Sequence, residues 1–195
     1  LLIAGSFSGT VDFDPDQAHS FFLTASGLGT GNMFSAKYNS SGDFIWAIAT
    51  GGTISSWAST IATDPVGNII VVGPFAGTTD FDPGPNTFNL TKLGTGLGGF
   101  VLKLDQSGNF LWVDGILGNQ NSICSSAAID GVGNIHIAGV FQDTADFDPG
   151  PGVFQQITSS IGACYFLKLD ASGSYQWMFT ISGKVAFFNP NSMFY

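Results

Sequence analysis

The sequence predicts an all-β chain built from three repeats, on three observations. The tetrapeptide Asp-Phe-Asp-Pro occurs at 12–15, 80–83 and 146–149, 68 and 66 residues apart, and its flanking sequence recurs with it. Self-similarity at such a period marks stacked supersecondary units. All 14 acidic residues are Asp and all 5 basic residues are Lys, so the strong helix formers Glu and Arg are missing. Beside them stand 27 Gly, which serve turns, and 19 Phe, which serve strands.

The repeats run over about 1–68, 69–134 and 135–182, with an atypical tail at 183–195, and together read as one array over 1–195. Each opens on a short apolar strand closing on Gly: Leu1-Leu2-Ile3-Ala4-Gly5, Ile69-Ile70-Val71-Val72-Gly73 and Ile135-His136-Ile137-Ala138-Gly139. An aligned Phe (Phe7, Phe75, Phe141), a Thr-rich link and Asp-Phe-Asp-Pro follow. After a variable Gly/Thr/Ser stretch comes a second strand, at 33–38, 100–104 and 165–169. The turns Asn39-Ser40-Ser41-Gly42, Asp105-Gln106-Ser107-Gly108 and Asp170-Ala171-Ser172-Gly173 then predict tight hairpins, because Asx bonds the backbone two residues on and Gly takes positive φ. The strand after each turn carries a Trp: Trp46, Trp112 and Trp177.

A second hairpin joins successive repeats, through Asp64-Pro65-Val66-Gly67-Asn68 and Asp130-Gly131-Val132-Gly133-Asn134. Four strands tied as two hairpins form a four-stranded antiparallel propeller blade, so the expectation is a β-propeller-type array of three blades of about 66 residues. No segment has sustained helical periodicity with caps.

The string Gly-Asn-Ile-x-(Ile/Val)-x-Gly-x-Phe, then Asp-Phe, then Phe-x-x-Lys-Leu-Asp-x-Ser-Gly-Asn-x-x-Trp resembles the SBBP-type bacterial β-propeller repeat over residues 1 to about 182. The resemblance implies a secreted or cell-surface protein and supplies no common catalytic residue set; fold does not fix function. Repeat one lacks its opening strand before Leu1, so the chain reads as a mature or truncated piece of something longer. The segment Val185–Phe188 is expected to supply that strand or to dock at an open edge. Three blades are fewer than the usual four to eight, so either further blades or a second chain completes the ring.

The aspartates of the repeated motif have two readings. If Asp12 and Asp14, Asp80 and Asp82, and Asp146 and Asp148 lie in strands, each pair shares a face and is a candidate Ca²⁺ site, Ca²⁺ being the one cofactor to which the residue types point. The ion-free reading, which carries more weight, makes Asp82-Pro83-Gly84 and Asp148-Pro149-Gly150 type II turns with the intervening Phe in the core.

The three serial Trp residues read as blade packing, and Trp57, in a loop, as the exposed ligand contact. Lys37, Lys103 and Lys168 recur at one position and are expected to pair with Asp on the solvent face. His19 and His136 form no repeating pair or triad, so no catalytic set is expected. The Gly-rich stretches 27–31 and 94–99 lack the strand–loop–helix context of phosphate loops and read as flexible connections. Cys124 and Cys164 should lie on non-adjacent strands, beyond disulfide reach, as buried thiols.

A net charge of −9 argues against nucleic acid and anionic membrane as partners, and no apolar run reaches the length of a bilayer span. The expected function is a non-enzymatic extracellular module for scaffolding, adhesion or protein interaction. The alternative is a carbohydrate-binding propeller, lectin-like or accessory to a polysaccharide-active enzyme.

Overall fold

The computed structural model describes residues 1–26, 31–158 and 162–182, and all its regular elements are β-strands. The first repeat supplies β1 (Leu2–Phe7), β2 (Thr10–Asp12), β3 (Phe22–Thr24), β4 (Asn32–Tyr38), β5 (Phe44–Ala49) and β6 (Gly51–Gly52). The segments β7 (Ser55–Ser56) and β8 (Thr60–Thr63) lead into β9 (Ile69–Ala76), β10 (Thr78–Asp80), β11 (Asn89–Thr91), β12 (Gly98–Leu104) and β13 (Phe110–Gly118). The third repeat holds β14 (Ser122–Ile129), β15 (Ile135–Phe141), β16 (Thr144–Asp146), β17 (Gln155–Ile157), β18 (Ala163–Leu169) and β19 (Tyr175–Ser182).

These strands form an open array of antiparallel blades. The second blade is ordered β8-β9-β12-β13 and the third β14-β15-β18-β19, the two-hairpin meander expected from the sequence. The first has three strands among the described residues, β1-β4-β5. The segment Val185–Phe188, expected to complete it, lies outside the described residues. The turn glycines Gly42, Gly67, Gly108, Gly133 and Gly173 have φ between 85° and 91°, as the hairpins require.

Each repeat also carries a paired element where the sequence predicts a link. The Thr-rich stretch before Asp-Phe-Asp-Pro is a strand of a short hairpin, β2-β3, β10-β11 or β16-β17. This hairpin reaches back to the preceding blade: Asp80 lies opposite Gly51 and Asp146 opposite Leu117. The repeats are therefore stitched by main-chain pairing as well as by packing.

The central blade explains its own sequence. Ile69-Ile70-Val71-Val72 does not alternate polar with apolar because both faces of the strand are covered. Ile69 and Val71 pack with Phe100, Leu102 and Met33 toward the first blade, while Ile70, Val72 and Val101 pack with Ile135, Ile137 and Tyr165 toward the third. Gly73 and Gly139, expected to end the aligned strands, lie inside them; a side chain there would collide with the carbonyls of Trp57, in the break between β7 and β8, and of Ile123, beside the bulge in β14.

Candidate functional site: the Asp-Phe-Asp-Pro loops

In every repeat the strand ends at the first Asp of the motif and the second lies beyond it, so the pair does not share a strand face. This corrects the premise of the Ca²⁺ reading at Asp12/Asp14, Asp80/Asp82 and Asp146/Asp148. The first carboxylate closes the loop. Asp80 Oδ1 accepts the N–H of Asp82 at 3.2 Å and of Phe88 at 2.8 Å. Asp12 does the same with Asp14 and Phe21, and Asp146 with Asp148 and Phe154. The Phe21 N–H holds the Asp12 carboxyl below its usual range.

The second carboxylate makes a smaller turn of the same kind. Asp14, Asp82 and Asp148 accept the N–H of Asp16, Gly84 and Gly150 at 2.8–3.0 Å. Neither Gly84 nor Gly150 has positive φ, so the expected type II turns are replaced by Asx turns, in which the carboxylate stands in for a backbone carbonyl. Among the described residues no three His, Cys, Asp or Glu side chains stand together as a metal-binding group.

The Phe between the two aspartates is a buried anchor. Phe13, Phe81 and Phe147 lie edge-on to Phe7, Phe75 and Phe141 at 5.5, 5.5 and 5.1 Å. They also meet Phe34, Phe100 and Tyr165 at 4.8–4.9 Å. A second ring pair (Phe21–Phe44, Phe88–Phe110, Phe154–Tyr175) pins the far side of each loop. Offset and edge contacts of this kind contribute roughly 0.5–1.5 kcal/mol each beyond area burial.

The recurring Lys and Trp residues bind one blade to the next. Lys37 Nζ donates to the Gln106 carbonyl and Lys103 Nζ to the Ala171 carbonyl, both at 2.9 Å. Each acceptor is the second residue of the following blade's hairpin turn. Trp46 and Trp112 cover the glycines of the same turns, Gly108 and Gly173. The solvent-face reading of Lys103 is thus corrected: it is buried between blades, where it also pairs with Asp64 at 3.0 Å. Burial opposes ionisation of Asp64, but hydrogen bonds from Asn68 and Lys103 outweigh it and lower its pKa.

Trp57 lies between β7 and β8 and is half-buried, less open than the loop reading implied. The most exposed of the serial tryptophans is Trp177, at 43%. Cys124 and Cys164 are buried thiols on β14 and β18 with β15 between them, as expected. Burial pushes the Cys124 thiol up to about 12, and the Tyr165 hydroxyl donates to its sulfur at 3.2 Å. The loop after β11 is pinned: Lys92 Nζ donates to the carbonyls of Leu93 and Thr95, and Asn121 accepts the Leu97 N–H.

Sequence reasoning missed Asp114. It lies on β13 facing the third blade, against Gly173 and near Asp148, and burial together with the Asp148 charge raises its carboxyl to about 7. The signal was present, since the aligned positions carry Ile48 and Phe179 and a carboxylate interrupts that apolar column.

No family model matches the chain. An uncharacterised WD repeat-containing protein of Acanthamoeba polyphaga mimivirus is 34% identical over 147 residues, a match covering 72% of this chain. The chain spans about a tenth of the length of that curated relative. The similarity agrees with a β-propeller-like repeat protein and does not single out the SBBP type.

Proposed function

We propose that the chain is a non-enzymatic protein-interaction module of the β-propeller type, working in scaffolding or adhesion at the cell surface or outside the cell. The observation that carries this reading is the use of the repeated polar residues. The aspartates of all three motifs close loops on backbone N–H donors, and Lys37 and Lys103 lock blades together. The repeated chemistry thus builds a rigid support, on which loop tips and blade edges vary in sequence and present the contact surface. The similarity to a WD repeat-containing protein supports the interaction role, and the resemblance to SBBP-type repeats supports the extracellular placement.

Surface biotinylation of intact producing cells tests the location: labelling of the chain is expected, and protection until lysis would contradict it. Probing the purified chain on a glycan array tests the role. An array without signal is expected, whereas binding abolished by Trp57→Ala would move the reading to a carbohydrate-binding propeller. Titration with Ca²⁺ is expected to leave the melting temperature unchanged, because Oδ1 of each motif aspartate already serves a backbone donor.

A further inference from the structure

The two seams inside the chain share one design, and half of that design is exposed at each end of the array. In both seams a Lys and a Trp of one blade grip the hairpin turn of the next. Lys37 and Trp46 hold Gln106 and Gly108; Lys103 and Trp112 hold Ala171 and Gly173. A methyl group placed on Gly108 would come within 3.1 Å of the Trp46 ring, and one on Gly173 within 3.4 Å of the Trp112 ring.

The third blade carries the same grip. Lys168 lies 3.7 Å from Asp130, as Lys103 lies beside Asp64. Trp177 and Phe179 are stacked and 43% and 49% exposed, and Ile181 beyond them is 54% exposed. The first blade carries the matching turn, Asn39-Ser40-Ser41-Gly42, and a methyl group on Gly42 would meet nothing within 4 Å.

We infer that a second copy of this chain docks head to tail, its Asn39–Gly42 turn seated on Lys168 and Trp177 of the first. Three further observations fit this occupant. A groove of about 490 Å³ runs beside the turn, lined by Asp14, Gly42 and Phe44. The aligned residues of the third blade are Asp148, Gly173 and Tyr175, and there the place is taken by Trp112 and Asp114. In a docked copy Trp177 and Phe179 take that place. Asp14, Asp16 and Asp43 line the groove, so its charge is opposite to that of Lys168. The main-chain stitch also has an open half: β10 and β16 each pair on both sides, whereas β2 pairs with β3 alone among the described residues. The register observed twice places Asp12 of one copy opposite Ser182 of the other.

The interface is heterologous, so each copy offers one turn and one grip, and association closes a ring or grows a filament. Analytical ultracentrifugation of the full chain across a concentration series tests it. Self-association in the micromolar range is expected, weakened about tenfold or more by Trp177→Asp, which removes a central aromatic anchor. Ser41→Lys, an exposed change on the turn that sets a second cation beside Lys168, is expected to weaken it comparably. Mixing the two variants restores one sound interface and yields a dimer that grows no further. Phe179→Lys serves as a second grip variant if Trp177→Asp loses its circular dichroism spectrum. A chain that stays monomeric at high concentration overturns the inference, leaving a following blade of a longer protein as the occupant. Self-association unchanged in both variants also overturns it.

Discussion

Two side chains stand out because their chemistry opposes their place in the repeat. Asp114 occupies an apolar column between blades two and three, and its carboxyl is raised to about 7 by burial and by the Asp148 charge. The folded state therefore holds a proton that the unfolded chain releases near pH 4, so stability falls as pH rises from about 4 to about 7. Asp114→Asn should flatten that limb and stabilise the protein at pH 8 by on the order of 1–2 kcal/mol after solvent screening is discounted, read from urea unfolding at pH 5 and pH 8. Asp143 has φ of 64°, where the aligned residues are Gly9 and Gly77. Asp143→Gly is expected to raise stability by a few tenths to about 1 kcal/mol by removing the left-handed penalty. A lower melting temperature would show that its weak bonds to Asn119 and Thr144 outweigh the strain.

The element that distinguishes this array is the stitched hairpin with its aspartate loop. The motif aspartate was legible as a turn residue and the motif Phe as a core residue, because both follow from local chemistry. The pairing of Asp80 with Gly51 was not legible, since β6 is a two-residue strand with no side chains to signal it. Phe81 is fully buried between two rings, and Phe81→Ala should cost about 3–5 kcal/mol. Phe13 has the aligned ring partners Phe7 and Phe34 but stands on the face of the first blade that no described blade covers, so Phe13→Ala should cost less, about 2–3 kcal/mol. Equal losses in thermal unfolding would mean that the rings, and not the covering blade, set the energy.

For the whole molecule, stability depends on seams that repeat. The Asp64–Lys103 pair lies inside one, and Asp64→Ala leaves the buried ammonium with the Ala171 carbonyl and the Trp112 ring but no counter-charge, a loss of about 3–5 kcal/mol at pH 7. Acid should act in the same direction. Asp64, Asp105 and Asp170 have carboxyls held below the usual range by their turn hydrogen bonds. Their contributions are complete above the unfolded value near 4 and are lost as pH falls through the folded values. With the Asp114 limb acting above pH 4, the melting temperature should peak in mildly acidic solution.

The amino-acid pattern alone specifies the repeat, the four-stranded blade, the turn glycines and the identity of the core aromatics, because period-2 patterning and turn chemistry are local. It did not determine what the repeated polar residues face. Lys103 reads as a surface cation until β12 is placed against the third blade, and Trp177 reads as core until the outer face of the third blade is found uncovered among the described residues. These assignments follow from the packing of the blades, because burial of a blade face depends on the presence of a neighbouring blade, and the same position is core in one repeat (Ile116) and open surface in the next (Ile181).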